Sequence, residues 1–272
     1  MKGVILVVGA ADTGKTTFAR YLYRRLCVHR ECVAFVDGDM GQATLGPPTT
    51  MTLALRRPNC DSFPPAGPRF RAFIGDISPT RHLLQTVVAA HKLVEKARDE
   101  GAEAIVFDTT GLVTSSQGGG ALKRALVDLL GPEVVVAIQR GTELEHLLVP
   151  LRQGHRPRVI NRSVVGAVQR RGIAARRKHR AEQFRRAFRK AGTLEVSWLS
   201  VPVIPFPLFT QHRLVALEDE DGFVLALGIV TGLERDRQVV ELHTPLTSLA
   251  QVYALRVGDL AVDPQTFRDT RL

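Results

Sequence analysis

Two kinds of apolar pattern alternate along the first half of the chain. Residues 4–8, 32–36, 104–107 and 134–138 are short continuous apolar runs, the signature of strands covered on both faces. Between them, residues 15–26, 81–98, 122–130 and 143–151 carry apolar positions at helical spacing. This alternation predicts an α/β fold with a doubly wound, mainly parallel sheet. Residues 43–68 are rich in Pro and Thr without a clear period and read as a long surface loop. After Trp198 the pattern changes to short strands at 214–217, 223–230, 239–243 and 255–257, with a turn at 218–222 and a hairpin tip at 234–237. The expected division is a domain over 1–192 and a small β-rich domain, barrel or sandwich, over 193–272.

Composition changes this picture only at its edges. The chain has 272 residues, of which 44% are hydrophobic and 24% charged, as in ordinary globular proteins. No apolar stretch approaches the ~20 residues of a membrane span, so no membrane partner is expected. Three cysteines without CxxC spacing suggest neither a disulfide framework nor zinc, and point to a reducing cytoplasm.

Charge is more informative, because the net +10 is concentrated. Between Arg152 and Lys190 stand fourteen Lys and Arg residues against the single acid Glu182, so the rest of the chain is mildly acidic. A solvated helix face normally mixes both signs; a one-sided, arginine-dominated block suits a polyanion, through bidentate phosphate contacts.

The segment from Gly9 through Ala10, Ala11, Asp12, Thr13 and Gly14 to Lys15 and Thr16, with Thr17 behind it, matches GxxxxGK[ST] between a predicted strand and a predicted helix. Backbone N–H groups of such a loop point at phosphate oxygens, and the helix N-terminus adds positive potential. Lys15 is expected on the β/γ-phosphates and Thr16 on Mg²⁺, which makes the fold a P-loop NTPase that takes ATP and Mg²⁺. Strand two ends in Asp37-Gly38-Asp39-Met40-Gly41-Gln42, at the end of the sheet where the phosphate loop opens. A carboxylate there can take a proton from an attacking hydroxyl or face the metal, so Asp39 and Gln42 are expected near the transferred phosphoryl group. Strand three ends in Asp108, the position of a metal-side carboxylate.

These motifs, together with Gly75-Asp76-Ile77-Ser78-Pro79 and Asp108-Thr109-Thr110-Gly111-Leu112-Val113, resemble the polynucleotide 5′-hydroxyl kinase family of RNA processing. That family includes kinases associated with pre-mRNA cleavage factors and with ribosomal-RNA processing. The resemblance implies transfer of the γ-phosphate of ATP to the 5′-hydroxyl end of RNA or DNA. By matched position, Asp39 is the general base and a metal-side group, and Gln42 lies close to the reacting groups. Asp37, Thr110 and Gly111 meet the acceptor, the last two as a clasp. An arginine-rich lid over about 168–190 brings Arg176, Arg177 and Arg180 to the phosphates. Leu112 stands where many eukaryotic members carry a base-stacking tryptophan. Some relatives also have an N-terminal β-domain, which is not expected here because the phosphate loop starts at residue 9. Two other readings stay open at this point: a P-loop switch ATPase or GTPase acting as an assembly or metal-delivery factor, and a scaffold that binds RNA and keeps ATP without using it.

Overall fold

The computed structural model describes residues 3–57, 62–154, 157–166 and 171–272. β1 (Gly3–Gly9), β2 (Val33–Asp37), β3 (Thr50–Leu55), β4 (Arg69–Phe73), β5 (Ala104–Asp108), β6 (Val134–Gln139) and β7 (Arg158–Ser163) form one sheet in the order β4-β3-β2-β5-β1-β6-β7. β2, β5, β1, β6 and β7 run parallel, and β3 is antiparallel to β2. Every residue of β2, β5 and β6 is buried, which is why these strands are apolar throughout instead of alternating.

The connections are α1 (Lys15–Cys27), α2 (Leu83–Asp99), α3 (Gly119–Leu130) and α4 (Glu145–Gln153). Each buries one stripe. In α1 the stripe is Lys15, Ala19, Tyr23 and Cys27, four residues apart, so one helical face both covers the sheet and carries the phosphate-loop lysine at its head. Tyr23 meets Phe35 and Phe63 edge-on, with ring centroids 6.0 and 5.9 Å away.

The stretch expected as a loop over 43–68 contains β3, all six residues of which are buried. Its apolar core, Met51 to Leu55, is flanked by Pro- and Thr-rich sequence that hides the strand signal. β4 and β7 carry polar or charged residues at several positions, and no apolar pattern announces them either.

The chain divides into two compact units. The first holds Met1–Asp39, Met51–Phe70 and Pro79–Arg171; the second holds Met40–Thr50, Arg71–Ser78 and Gly172–Leu272. Residues 168–170 of the expected lid, and Cys60, lie outside the described residues. The second unit contains α5 (Ile173–Ala187), β8 (Gly192–Ser197), β9 (Val203–Ile204), β10 (Arg213–Glu218), β11 (Val224–Glu234), β12 (Val239–Thr244), β13 (Ala254–Val262) and β14 (Asp269–Arg271). These strands make an open sheet in the order β14-β13-β10-β11-β12-β8, with β9 on β13, in place of the expected barrel or sandwich.

The side chains of β10 alternate between two clusters: Leu214 and Ala216 in one, Val215 and Leu217 in the other. Phe184 and Phe188, from the end of α5, belong to the first cluster. That apolar pair draws the arginine-rich helix into the second unit.

Candidate active site

The phosphate loop leaves β1 at Gly9 and enters α1 at Lys15. Gly14 turns the chain at the helix start with φ 86°, a left-handed conformation that glycine adopts without steric cost. Lys15 is buried, and its Nζ donates to the Ala10 carbonyl at 2.7 Å, as does the Thr13 hydroxyl at 3.0 Å. Burial holds the Lys15 pKa below the ordinary lysine value, while the charges of Asp108, Asp39 and Asp12 pull it back up. Asp12 fixes the outside of the loop. Its carbonyl accepts from the Arg140 guanidinium, and its carboxylate accepts from the Arg171 N–H at 3.3 Å.

The carboxylates come together through strand register. Asp37 pairs with Asp108 across β2 and β5, and Asp108 is level with Val7 of β1, two residues before the phosphate loop. Asp37 and Asp108 are both buried, and the Asp39 N–H donates to Asp37 Oδ1 at 3.4 Å. Neither carboxylate oxygen of Asp108 has a hydrogen-bond partner of good geometry. Its pKa is pushed up to about 7, by burial first and by the Asp37 charge second; the nearby Thr16 hydroxyl and Lys15 oppose this, and Asp39 adds to it.

A buried carboxylate without well-placed donors beside a threonine hydroxyl suits a hard cation that takes oxygen ligands. Among the described residues no three His, Cys, Asp or Glu side chains converge on one point. Mg²⁺ does not require that, because it is usually held by one or two carboxylates together with substrate phosphates.

Thr110 and Gly111 follow β5 directly. A Cβ on Gly111 would lie 2.8 Å from the backbone nitrogen of Ala11 and 2.9 Å from its Cα, so only glycine lets this segment lie against the phosphate loop. The Thr110 hydroxyl accepts from the Leu112 N–H at 3.3 Å.

One residue of this site is absent from the motifs. Lys123 of α3 is 2% exposed, and its Nζ donates to the Thr110 carbonyl at 2.8 Å and to the Thr110 hydroxyl at 3.3 Å. Its pKa is lowered to about 7, by burial first and by the Lys15 charge second, with Asp39 and Asp108 opposing. The sequence does carry a signal: Lys123 follows Leu122 and precedes Leu126 and Leu130 on the apolar stripe of its helix, where a lysine needs a partner.

The structure thus gathers Lys15, Thr16, Asp37, Asp39, Asp108, Thr110 and Gly111 in the first unit, whereas Gln42, Arg176, Arg177 and Arg180 lie in the second. Gln42 Nε2 donates to the Gly41 carbonyl at 2.6 Å. Arg177 is exposed and Arg176 half-buried. Arg180 differs from both, because its guanidinium makes two 2.9 Å bonds to the carboxylate of Asp269 and is itself buried. The stripe Arg176, Arg180, Phe184, Phe188 explains the difference: the four-residue spacing that aligns the arginines also aligns them with the two core phenylalanines.

Comparison with known proteins agrees with this architecture. A Clp1p–Pcf11p complex contains a chain that superimposes with a TM-score of 0.70 at 12% identity, covering 96% of this chain and 74% of that one. The polyribonucleotide 5′-hydroxyl-kinase of Pyrococcus furiosus is 25% identical over 95% of this chain and 87% of its own length. That of Methanocaldococcus jannaschii is 29% identical over the same shares. Residues 9–190, which run from the first glycine of the phosphate loop through the arginine-rich helix, match the family described as mRNA cleavage and polyadenylation factor CLP1 P-loop, and the chain belongs to that family.

Proposed function

We propose that this protein is an ATP-dependent polyribonucleotide 5′-hydroxyl kinase. The observation that carries the reading is the level placement of Asp37 and Asp108 beside the phosphate loop, with Asp39 two residues beyond Asp37. The loop N–H groups and Lys15 bind the β- and γ-phosphates of ATP. Thr16, Asp108 and Asp39 would hold a Mg²⁺ ion, which would supply neutralisation of the charge on those phosphates. Asp39 accepts the proton of the RNA 5′-hydroxyl as its oxygen attacks the γ-phosphorus, and the bond to the bridging oxygen of ADP breaks. Thr110 and Gly111 hold the acceptor end, with Lys123 fixing the Thr110 carbonyl and hydroxyl. Asp37 and Gln42 contribute acceptor contacts, and Arg176 and Arg177 meet phosphate oxygens of the reactants.

Arg180 is assigned to the same role only if its bond to Asp269 opens during turnover. The guanine-reading switch alternative has little support, because Gln139-Arg140-Gly141-Thr142 stands after β6 where such proteins carry Asn/Thr-Lys-x-Asp, and the Gln139 amide is held by Glu145 and the Leu144 N–H. Transfer of label from γ-labelled ATP to 5′-hydroxyl RNA and DNA oligonucleotides tests the reading. Labelled RNA is expected; label released only as free phosphate would replace the kinase by a switch ATPase, and no turnover at all would leave the scaffold.

A further inference from the structure

The second unit contains a groove of about 1510 Å³ between α5 and the C-terminal segment 265–271. Sites for small molecules occupy roughly 300–1,000 Å³, so this groove has the size of a polymer track. Its charge is one-sided: six cationic side chains line it against the acids Glu182 and Asp269, and Asp269 is already taken by Arg180. Arg177, Lys178 and Arg185 stand on the helix wall, Arg268 and Arg271 on the opposite one, with Ile77 and Ala181 supplying apolar surface. Arg271 is bonded to Asp76 at 3.0 Å. Lys178 and Arg268 are exposed and belong to no ion pair among the described residues.

Cations on two facing walls alone would suit any polyanion. Arg185 selects between them. Its guanidinium lies over the ring of Phe267, 5.5 Å from the centroid, and its amino group donates to the Thr266 carbonyl at 3.4 Å. A guanidinium tethered to a carbonyl beside an aromatic ring offers a stacking surface for a nucleobase, which an acidic peptide cannot use.

We infer that this groove binds the single-stranded body of a polyribonucleotide, with phosphates meeting Lys178 and Arg268 from opposite sides and a base stacking on Arg185. The inference rests on the kinase reading for its choice of RNA, and it assigns to the C-terminal segment a substrate contact that the motifs of the first unit do not include. It also divides the basic block. Arg180 holds the helix to the strand, while Lys178 and Arg185 face the groove.

The test measures binding of a 12-nucleotide single-stranded RNA carrying a 5′-phosphate, so that no transfer is needed, to the full chain over a range of salt. Replacing both Lys178→Ala and Arg268→Ala should make the log–log salt slope shallower by about 1.4, at about 0.7 per single-strand phosphate contact. It should also weaken binding at least tenfold at low salt. Arg185→Lys keeps the charge and should keep the slope, while losing affinity for the RNA relative to an abasic strand of the same length.

Wild-type slope and affinity in the double variant would overturn the groove. So would competition by a glutamate 12-mer as effective as by RNA, since that would make it a general acidic-partner surface. Failure of the wild-type chain to transfer label to any 5′-hydroxyl oligonucleotide would overturn the kinase reading instead, and the RNA-binding slopes would still decide the groove.

Discussion

Replacing Asp108 by asparagine should make the nucleotide-free protein more stable and the enzyme worse. Asp108 is a buried carboxylate without a well-placed hydrogen-bond donor, held beside Asp37 by strand register. Its pKa is raised from 3.8 to about 7. For an acid the sign is fixed: the folded protein binds the proton more tightly than the unfolded chain, so stability falls as pH rises from about 4 through about 7. At 1.36 kcal/mol per pKa unit the penalty is on the order of a few kcal/mol, felt in full above pH 7. The amide of the variant carries no charge and escapes that loss.

At pH 8, without nucleotide or metal, Asp108→Asn should therefore raise the melting temperature of the first unit by on the order of 10 °C. The gain should shrink steadily as the pH is lowered to 5. With ATP and Mg²⁺ the order should reverse, because the wild-type carboxylate then has a cation to face and the amide does not. Calorimetry at several pH values, with and without the nucleotide, reads both effects. A variant that is less stable than wild type at pH 8, or a gain that does not change with pH, would refute the assignment of Asp108 as a buried carboxylate kept for a metal.

Three further outcomes follow from the same site. Asp39→Asn should lower transfer by roughly 10²–10⁴ while leaving ATP binding largely intact, as removal of a general base does; a loss seen mainly as weaker ATP binding would leave Asp39 only its metal-side role. Lys123→Met keeps the volume and removes a buried charge, so melting temperature and the KM for ATP should hold while the KM for the RNA acceptor rises at least tenfold; equal changes in both KM values would reduce Lys123 to a packing residue. Gly111→Ala must push the backbone of Ala11 from 2.8 Å to ordinary contact, costing about 1–3 kcal/mol and roughly 10²-fold in rate. Gly120→Ala, whose added Cβ has the His146 and Ser115 side chains as its nearest neighbours at 3.5 and 3.6 Å, is the control: it should leave stability and rate close to wild type.

The first unit is more legible in the sequence than the second, and the reason is burial. Strands covered on both faces must be apolar at every position, so β1, β2, β5 and β6 stand out from their surroundings, and the phosphate loop and the acids at their ends are located with them. β3 is just as buried, but prolines and threonines on either side dilute its five-residue core. β7 and β8 are edge strands in their sheets with at most one buried position each, so no apolar pattern marks them. Lys123 is only half-legible, for a different cause: the sequence places it on the apolar stripe of α3 without naming its partner. A lysine counts as polar in any pattern, and only tertiary contact shows that its ammonium ends on the Thr110 carbonyl.

The arginine-rich helix is where chemistry and architecture are hardest to separate, and Arg180 is the residue that separates them. It shares a helical face with Arg176, which suits a catalytic pair, and equally with Phe184 and Phe188, which suits an anchor. The bidentate bond to Asp269, with both side chains largely shielded from water, favours the anchor in this conformation. Removing one partner of such a pair leaves an uncompensated charge, so Arg180→Met should cost about 3–5 kcal/mol. Replacing both partners with apolar groups is often neutral or stabilising, so Arg180→Met with Asp269→Leu should recover most of that loss. The two roles then part in the rate at saturating RNA and ATP. If Arg180 only ties α5 to β14, the double variant turns over like wild type once its stability is restored. If its charge is needed opposite the transferred phosphoryl group, the double variant is stable and still slow. We expect recovery of both stability and rate; a stable but slow double variant would return Arg180 to the phosphates and require the pair with Asp269 to open in each catalytic cycle.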